Sequence, residues 1–320
     1  MRQKIFTFFL IAAAGLVSCR KNKIDIDIKQ YDENQIQNYM KVFSLTDMKR
    51  DTSNGDTTGI YYQLLLPGKV VPPATDLVPL EYPDKVSFVF TVRTMDGKYV
   101  TTDTIQNHIE EYLGHVSQDG LPAGLQLAMK NILKYKGASA RLLIPSHLAY
   151  GVNGYRTAGS STLANANIAG NQCLDYYVHI IDDYKTYDEQ VIQNRVSDLS
   201  SYTKVESVEK PGYYYYYKIL TPGTGNSPIT DNSSITVTYT GQLLNGSIFD
   251  GNYNGDNSIV QTPSSFAVSG LREALEKFAV AGTKISVIIP STIAYGDATA
   301  GSIPTNSVLR FTYQIISVAP

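Results

Sequence analysis

The residue types that carry out covalent chemistry are present, but not at working spacings. The four histidines, His108, His115, His147 and His179, show no zinc-ligand pattern, and no H-E-x-x-H occurs. They read as surface or strand residues. GTGNSP, Gly223 to Pro228, is a turn rather than a phosphate-binding loop, and no G-x-S-x-G elbow is found. Cys173 lies in the strand-like run CLDYYVHII without an activating neighbour, so it reads as a small buried apolar residue. No metal, nucleotide or cofactor is called for. What remains is aromatic: the chain has 24 Tyr and no Trp. A Tyr ring offers an apolar face with a polar tip, which suits sheets and binding grooves. Tyr239, Phe266 and Phe311 would be core residues in any small sheet protein. Asp250 is more telling. An acid directly after the strand residue Phe249 has no obvious core role, although a turn Asp is common.

The elements that must position these residues occur twice. IPSTIAYG, Ile289 to Gly296, has a near copy 145 positions earlier as IPSHLAYG, Ile144 to Gly151. YDEQVIQN from Tyr187 likewise repeats YDENQIQN from Tyr31. Two landmarks in the same order mean one folding unit used twice. Each unit opens with a helical stretch, and in the second copy Asp188 and Glu189 stand at the helix start, where acids suit the dipole. GIYYQLLLPG and GYYYYYKILTPG are strand runs ending in Pro-Gly. ITVTYTGQL is a strand leading into the hairpin turn Asn245-Gly246 and then SIFDG. LREALEKFA, Leu271 to Ala279, has helical spacing, with Leu271, Leu275 and Phe278 on one face. TKISVIIP and NSVLRFTYQIISV complete four to six antiparallel strands with one helix on one face, an α+β arrangement.

The 320 residues suit two domains. With 43% hydrophobic and 18% charged residues, the chain is globular, and its net charge of −2 gives no field to attract nucleic acid. Arg2 and Lys4 precede an apolar run, Ile5 to Val17, too short for the roughly 20 residues that span a bilayer. It reads as a secretory signal over residues 1–18. Leu16-Val17-Ser18-Cys19 resembles the bacterial lipoprotein signal, which makes Cys19 the acylated first residue of the mature protein, anchored stably by more than one chain. The alternative is an ordinary cleaved signal with an incidental Cys. Residues 19–30 are expected to be a tether, with an edge strand at Asp25 and Asp27 as the other reading. Domains follow over 31–184 and 185–320. The join IIDDYKTYDE leaves little room for a spacer, so the units are expected to touch.

From Ile235 to Val318 the second unit resembles the FKBP-type peptidyl-prolyl cis-trans isomerases. VTYTGQLLNGSIFDG, GLREALEKF, ISVIIPSTIAYG and IPTNSVLRFTYQI stand in the family order, and four motifs together are far more specific than AYG alone. The resemblance implies two FKBP-like domains, each a twisted antiparallel sheet wrapped around a short helix, with an added N-terminal helix. It implies an aromatic pocket in the second unit. Tyr239, Phe249, Asp250, Tyr295 and Phe311 carry over as catalytic residues, and Val268, Leu271 and Ile303 as substrate-binding ones. Leu271 replaces the family's usual Trp, giving a shallower floor. Phe249, Val268, Leu271 and Phe311 would hold the proline ring. The Tyr295 hydroxyl and the Ile303 N–H would fix substrate carbonyls, and Asp250 would bond the Tyr239 hydroxyl. The partners implied are proline-containing polypeptides among exported proteins. The lipoprotein-like signal leads to the expectation of a bacterial envelope location, lipid-anchored at the outer membrane, and Arg20 directly after Cys19 favours the periplasm-facing side. A non-catalytic chaperone or adaptor using the same grooves is the alternative.

The first unit departs from the pattern. Phe90 replaces Tyr239, Val100-Thr101 replaces Phe249-Asp250, Leu125 takes the helix-start position, and Ile168-Ala169 replaces the Ile-Pro turn. Tyr150 and Tyr176 remain. A longer loop, GVNGYRTAGSSTLANANI, lies beside the would-be pocket. The first unit is expected to keep the fold with little isomerase activity, and a rebuilt pocket of different specificity is the other reading.

Overall fold

The structure, a computed structural model, describes residues 27–53, 55, 57–101, 108–118, 120–157, 166–252, 257–298 and 300–320. The expected signal, the lipidation site Cys19 and most of the tether lie outside the described residues. Among the described residues no helix is long and apolar enough to cross a membrane.

Helix α1 (Ile28–Val42) starts the described chain. Asp27 is its N-cap, accepting from the Lys29 N–H at 3.1 Å. An unpaired N–H at a helix start needs such an acceptor, so Asp27 belongs to neither a tether nor an edge strand, and the helix takes the last residues of the expected tether. Strands β1 (Lys49–Arg50), β2 (Tyr61–Pro67), β3 (Lys85–Thr94), β4 (Val100–Thr101) and β5 (Ile109–Tyr112) follow. Next come α2 (Ala123–Ala128), β6 (Ala138–Ile144), the small hairpin β7 (Tyr155–Arg156) and β8 (Asn167–Ile168), and β9 (Leu174–Ile180). Helix α3 (Tyr184–Arg195) opens the second half, which continues with β10 (Thr203–Glu206), β11 (Tyr214–Thr221), β12 (Ser234–Leu243), β13 (Ile248–Gly251) and β14 (Ile259–Gln261). Helix α4 (Ser269–Phe278), β15 (Lys284–Ile289) and β16 (Leu309–Ala319) complete it.

The two main sheets have the same strand order. One runs β1-β2-β6-β9-β3-β4 with β5 also on β3, the other β10-β11-β15-β16-β12-β13 with β14 also on β12. Each has seven strands, more than the four to six expected, because short edge strands carry little alternation to read. The described pairs are antiparallel, and the register slips at the same place in both copies, at Leu64/Leu66 and Ile219/Thr221.

Each sheet buries one face under its short helix. In the second unit Leu271, Ala274 and Leu275 of α4 pack with Val237, Ile285, Val287 and Ile289. Two glycines permit the close approach. A Cβ on Gly270 would lie 2.8 Å from Ile289 Cγ2, and one on Gly124 would lie 2.5 Å from Ile144 Cγ2. The opposite face is covered by the helix that opens each unit. Ile36 and Tyr39 of α1 pack with Tyr61, Leu143 and Cys173, while Ile192 of α3 packs with Tyr216 and Ile288. Alternation along β6 and β15 sends neighbouring residues to the two faces, so both are apolar.

Asp188 and Glu189 do not begin a helix, contrary to expectation. The N-cap of α3 is Asp183, which accepts from the Thr186 N–H at 2.9 Å. Asp188 is fully buried a turn later. Its Oδ2 accepts from the Ser291 N–H at 2.8 Å and the Ser291 hydroxyl at 2.7 Å. In the first unit Asp32 accepts from the His147 N–H at 3.3 Å and pairs with His147 Nδ1 at 3.0 Å. The two repeated sequence landmarks therefore touch each other in both units. His108 is buried, so it is not a surface residue, and His147 is half-buried and tied into the fold through Asp32.

Candidate functional site

The candidate site is built on the middle of β12. Tyr239, Thr240 and Gly241 stand opposite Tyr313, Thr312 and Phe311 of β16. On the other side Gly241 stands opposite Asp250 of β13. Gly241 is therefore flanked by both strands that carry the aromatic residues. A Cβ there would lie 2.6 Å from Phe249 Cε2 and 2.9 Å from Phe311 Cε1. The glycine lets both rings settle over the backbone, where they meet edge to face with centroids 5.7 Å apart.

Tyr239 stacks on the buried Tyr313 at 5.0 Å. Its hydroxyl donates to Asp250 Oδ2 at 2.7 Å, and Asp250 Oδ1 accepts from the Gly251 N–H at 2.8 Å. Burial, reinforced by the hydrogen bond to Asp250 and by its negative charge, pushes the Tyr239 phenol up. It stays a neutral donor at physiological pH. Tyr295 follows the Pro290–Ile293 turn and packs on the same cluster as Tyr239, Phe249 and Phe311. Burial, then the Asp250 charge, raises its pKa. Among the described residues nothing takes up the Tyr295 hydroxyl, so this protonated donor, on a ring packed in the cluster, is unspent.

Val268, Leu271 and Ile303 belong to the same cluster and are nearly buried. Leu271 lies in the first turn of α4, its N–H donating to the Val268 carbonyl at 3.2 Å. One expected role is corrected. The Ile303 N–H is not available to a substrate carbonyl, because it donates to the Ala300 carbonyl at 3.0 Å within a local bridge. Ile303 contributes its side chain only. One backbone donor open at the start of α4 is that of its N-cap, Val268, whose N–H has no partner among the described residues. A helix start leaves such N–H groups unpaired. The sequence carries no residue-type signal for a backbone donor, and only the α4 boundary could have pointed to it.

The first unit fills the equivalent place from within. Register puts Val92 opposite Tyr176, as Gly241 is opposite Phe311. Val92 and Phe90 are buried, and Phe90 packs on Tyr176 at 5.5 Å, while Val100 is exposed. Tyr155, from the hairpin inside the longer loop, stacks on Tyr150 at 4.6 Å. The Tyr150 hydroxyl is spent on the Gly120 carbonyl at 3.0 Å. Leu125 and Ile168 are buried in the same core. Cys173 is buried beneath α1, 3.4 Å from Asp32 Oδ1, and burial followed by the Asp32 charge raises its thiol far above the reactive range.

Residues 225–316 match the family described as FKBP-type peptidyl-prolyl cis-trans isomerase. The chain is 31% identical over 138 residues to the FKBP-type peptidyl-prolyl cis-trans isomerase FkpA of Buchnera aphidicola, covering 43% of this chain and 54% of that protein. It is 37% identical over 103 residues to the peptidyl-prolyl cis-trans isomerase Mip of Coxiella burnetii, covering 32% and 44% respectively. Among solved structures, that of FkpA from Escherichia coli matches 43% of this chain and 58% of its own at 27% identity, with a TM-score of 0.34. The chain thus spans about half the length of the curated relatives it matches.

Proposed function

We propose, on the premise that residues 225–316 form a domain of the FKBP-type peptidyl-prolyl cis-trans isomerase family, that the second unit catalyses rotation about Xaa–Pro bonds in polypeptides. Such an amide is planar by resonance, and its rotation must cross roughly 18–20 kcal/mol. Uncatalysed, it takes tens to hundreds of seconds. Half-way through the rotation the C–N bond has lost double-bond character and the carbonyl is less polar. An apolar cradle favours that state over the planar one, with no nucleophile and no covalent intermediate. Phe249, Phe311, Leu271 and the Ile303 side chain supply the cradle. The Tyr295 hydroxyl and the Val268 N–H supply donors for substrate carbonyls. Asp250 holds the Tyr239 hydroxyl and shapes the rim.

The observation that carries this reading is the Phe249–Phe311 pair over Gly241, with the Tyr295 hydroxyl left unspent beside it. A protease-free prolyl isomerisation assay on the soluble mature protein, residues 19–320, tests it. Acceleration above the spontaneous rate is expected, and its absence leaves the non-catalytic chaperone or adaptor as the reading. For the first unit that second reading is favoured outright, because Tyr155 and Val92 take up the room and Gly120 takes up the Tyr150 hydroxyl.

The clients proposed are proline-containing exported proteins, in keeping with the basic, apolar and Leu-Val-Ser-Cys pattern of the first 19 residues. Lipid on Cys19 would hold the chain at a bacterial envelope membrane, facing the periplasm. Metabolic labelling with a fatty-acid probe, with Cys19→Ser as the control, tests the anchor.

A further inference from the structure

Residues 297, 298 and 300–306 follow Tyr295 and precede the β16 strand, with Ala300 and Ile303 packed on the candidate site's cluster, and both Asp297 and Asn306 are held by the first unit. Asn306 closes the segment's base, its N–H donating to the Gly296 carbonyl at 2.7 Å. It sits in the left-handed region at φ 54° and is buried. Its side-chain Nδ2 donates to Glu110 Oε2 at 2.6 Å and to the Tyr184 hydroxyl at 2.9 Å. Glu110 lies on β5 of the first unit and pairs with Lys85 Nζ at 2.7 Å. The same Lys85 Nζ reaches Asp297 Oδ2, at the other end of the segment, at 3.3 Å. Next to Asn306, the Thr305 hydroxyl donates to the His108 carbonyl at 2.9 Å. Burial works against the Glu110 charge, but hydrogen bonds from Lys85, Asn306 and Tyr184 outweigh it and hold the carboxyl ionised.

The repeat supplies an internal control. Asn171 occupies the matching place in the first unit, at φ 58°, with its N–H donating to the Gly151 carbonyl at 2.8 Å. Its buried Oδ1 has no hydrogen-bond partner among the described residues. Closing the loop base with a left-handed Asn is thus a property of the fold. Reaching across to a carboxylate on the other unit is a property of Asn306 alone among the two.

We infer that Glu110 and Asn306 are positioning residues for the second unit's site, and that the first unit sets that site's affinity for proline-containing segments by clamping Asp297, Thr305 and Asn306 beside it. The inference rests on the isomerase reading for its substrate. An anchored segment reaches the bound geometry with less ordering left to do, so its release weakens binding before it slows chemistry.

The test uses the full chain. Asn306→Gly keeps the left-handed backbone and the bond to Gly296 while deleting the bridge, and Glu110→Ala deletes it from the other side. Asn171→Gly is the control, and Glu110→Gln, which retains an acceptor for Asn306, is the rescue. Isomerisation of an Xaa-Pro tetrapeptide is followed by NMR exchange, and hydrogen exchange is read at the Ala298 and Ile303 amides. For Asn306→Gly and Glu110→Ala, KM is expected to rise about three- to tenfold with kcat within about twofold of wild type, the scale of one hydrogen bond. Exchange at the two amides should quicken in step. Asn171→Gly should change neither, and Glu110→Gln should bring KM back to within about twofold of wild type. An unchanged KM in both bridge variants, or faster exchange without a KM change, overturns the inference. An equal effect from Asn171→Gly does so as well. If the wild-type chain gives no turnover, the isomerase reading fails separately, and the Kd of the same peptide by NMR titration takes the place of KM. Absence of any peptide binding then overturns the clamp too.

Discussion

Gly241 lies under two aromatic rings, and its missing side chain is what allows Phe249 and Phe311 to meet. The repeat shows the alternative, since Val92 fills the matching position in the first unit. Gly241→Val should therefore displace both rings and lower kcat/KM by about 100-fold or more, with overpacking costing roughly 1–3 kcal/mol of stability. Thermal unfolding run beside the isomerisation assay separates the two effects. Phe249→Ala removes one wall and should cost about 10- to 100-fold in kcat/KM, with a smaller loss of stability because the ring is only partly buried. Tyr239→Phe removes only the hydroxyl that Asp250 accepts, a loss on the scale of one net hydrogen bond, about fivefold. Equal losses in all three variants would mean that the fold, and not the hollow, is being measured. The four motifs in family order named the aromatic cluster from sequence, whereas residue types alone left Tyr239 and Phe311 reading as core. Gly241 was not legible as a wall-former, since a strand glycine reads first as a weak point. The open Val268 N–H was hidden for a different reason: every residue but proline has one, and only its neighbours decide whether it is free.

At the scale of elements, the helix that opens each unit and the Pro-Ser turn are one device. Asp188 on α3 receives the Ser291 N–H and hydroxyl, and that turn leads directly to Tyr295. The sequence displayed both landmarks, but periodicity alone could not say that they touch, because more than 100 positions separate them. It also led to the wrong role for Asp188, since acids near a helix start ordinarily serve the dipole. Burial of this carboxyl, only partly offset by the Ser291 hydrogen bonds, raises its pKa from 3.8 to about 7. One of its oxygens, Oδ1, has no partner among the described residues. The sign follows from the folded state holding a proton that the unfolded state releases. Asp188 contributes most to stability below about pH 4, and that contribution is lost as pH rises through about 7. Asp188→Asn retains an acceptor for Ser291 without the titration. The difference in melting temperature, variant minus wild type, should become more positive between pH 5 and pH 8. A flat difference across that range would remove Asp188 from the pH response.

Across the whole molecule, the matching strand orders of the two sheets show that both copies kept the architecture while their pockets diverged. The duplication was legible at once, because two landmarks recur in order. The contacts between the units were not, since Glu110 and Asn306 are 196 positions apart and nothing in their local sequence marks them as partners. Divergence at constant fold makes a clean test possible in the intact chain. With Gly241→Val silencing the second unit, any isomerisation that remains belongs to the first. There Tyr155 stacks on Tyr150, and the Tyr150 hydroxyl is already bound to Gly120. A substrate would have to displace a stacked ring and break that hydrogen bond before reaching an apolar surface. Each of these costs on the order of 1 kcal/mol, which together with the missing Phe-Asp pair leaves little catalysis. Residual kcat/KM in the silenced chain should fall to about one hundredth of wild type or below. Turnover that persisted and was then abolished by Tyr150→Phe would show a working, rebuilt site in the first unit. In that case the molecule would carry two catalysts of different specificity rather than one catalyst and its brace.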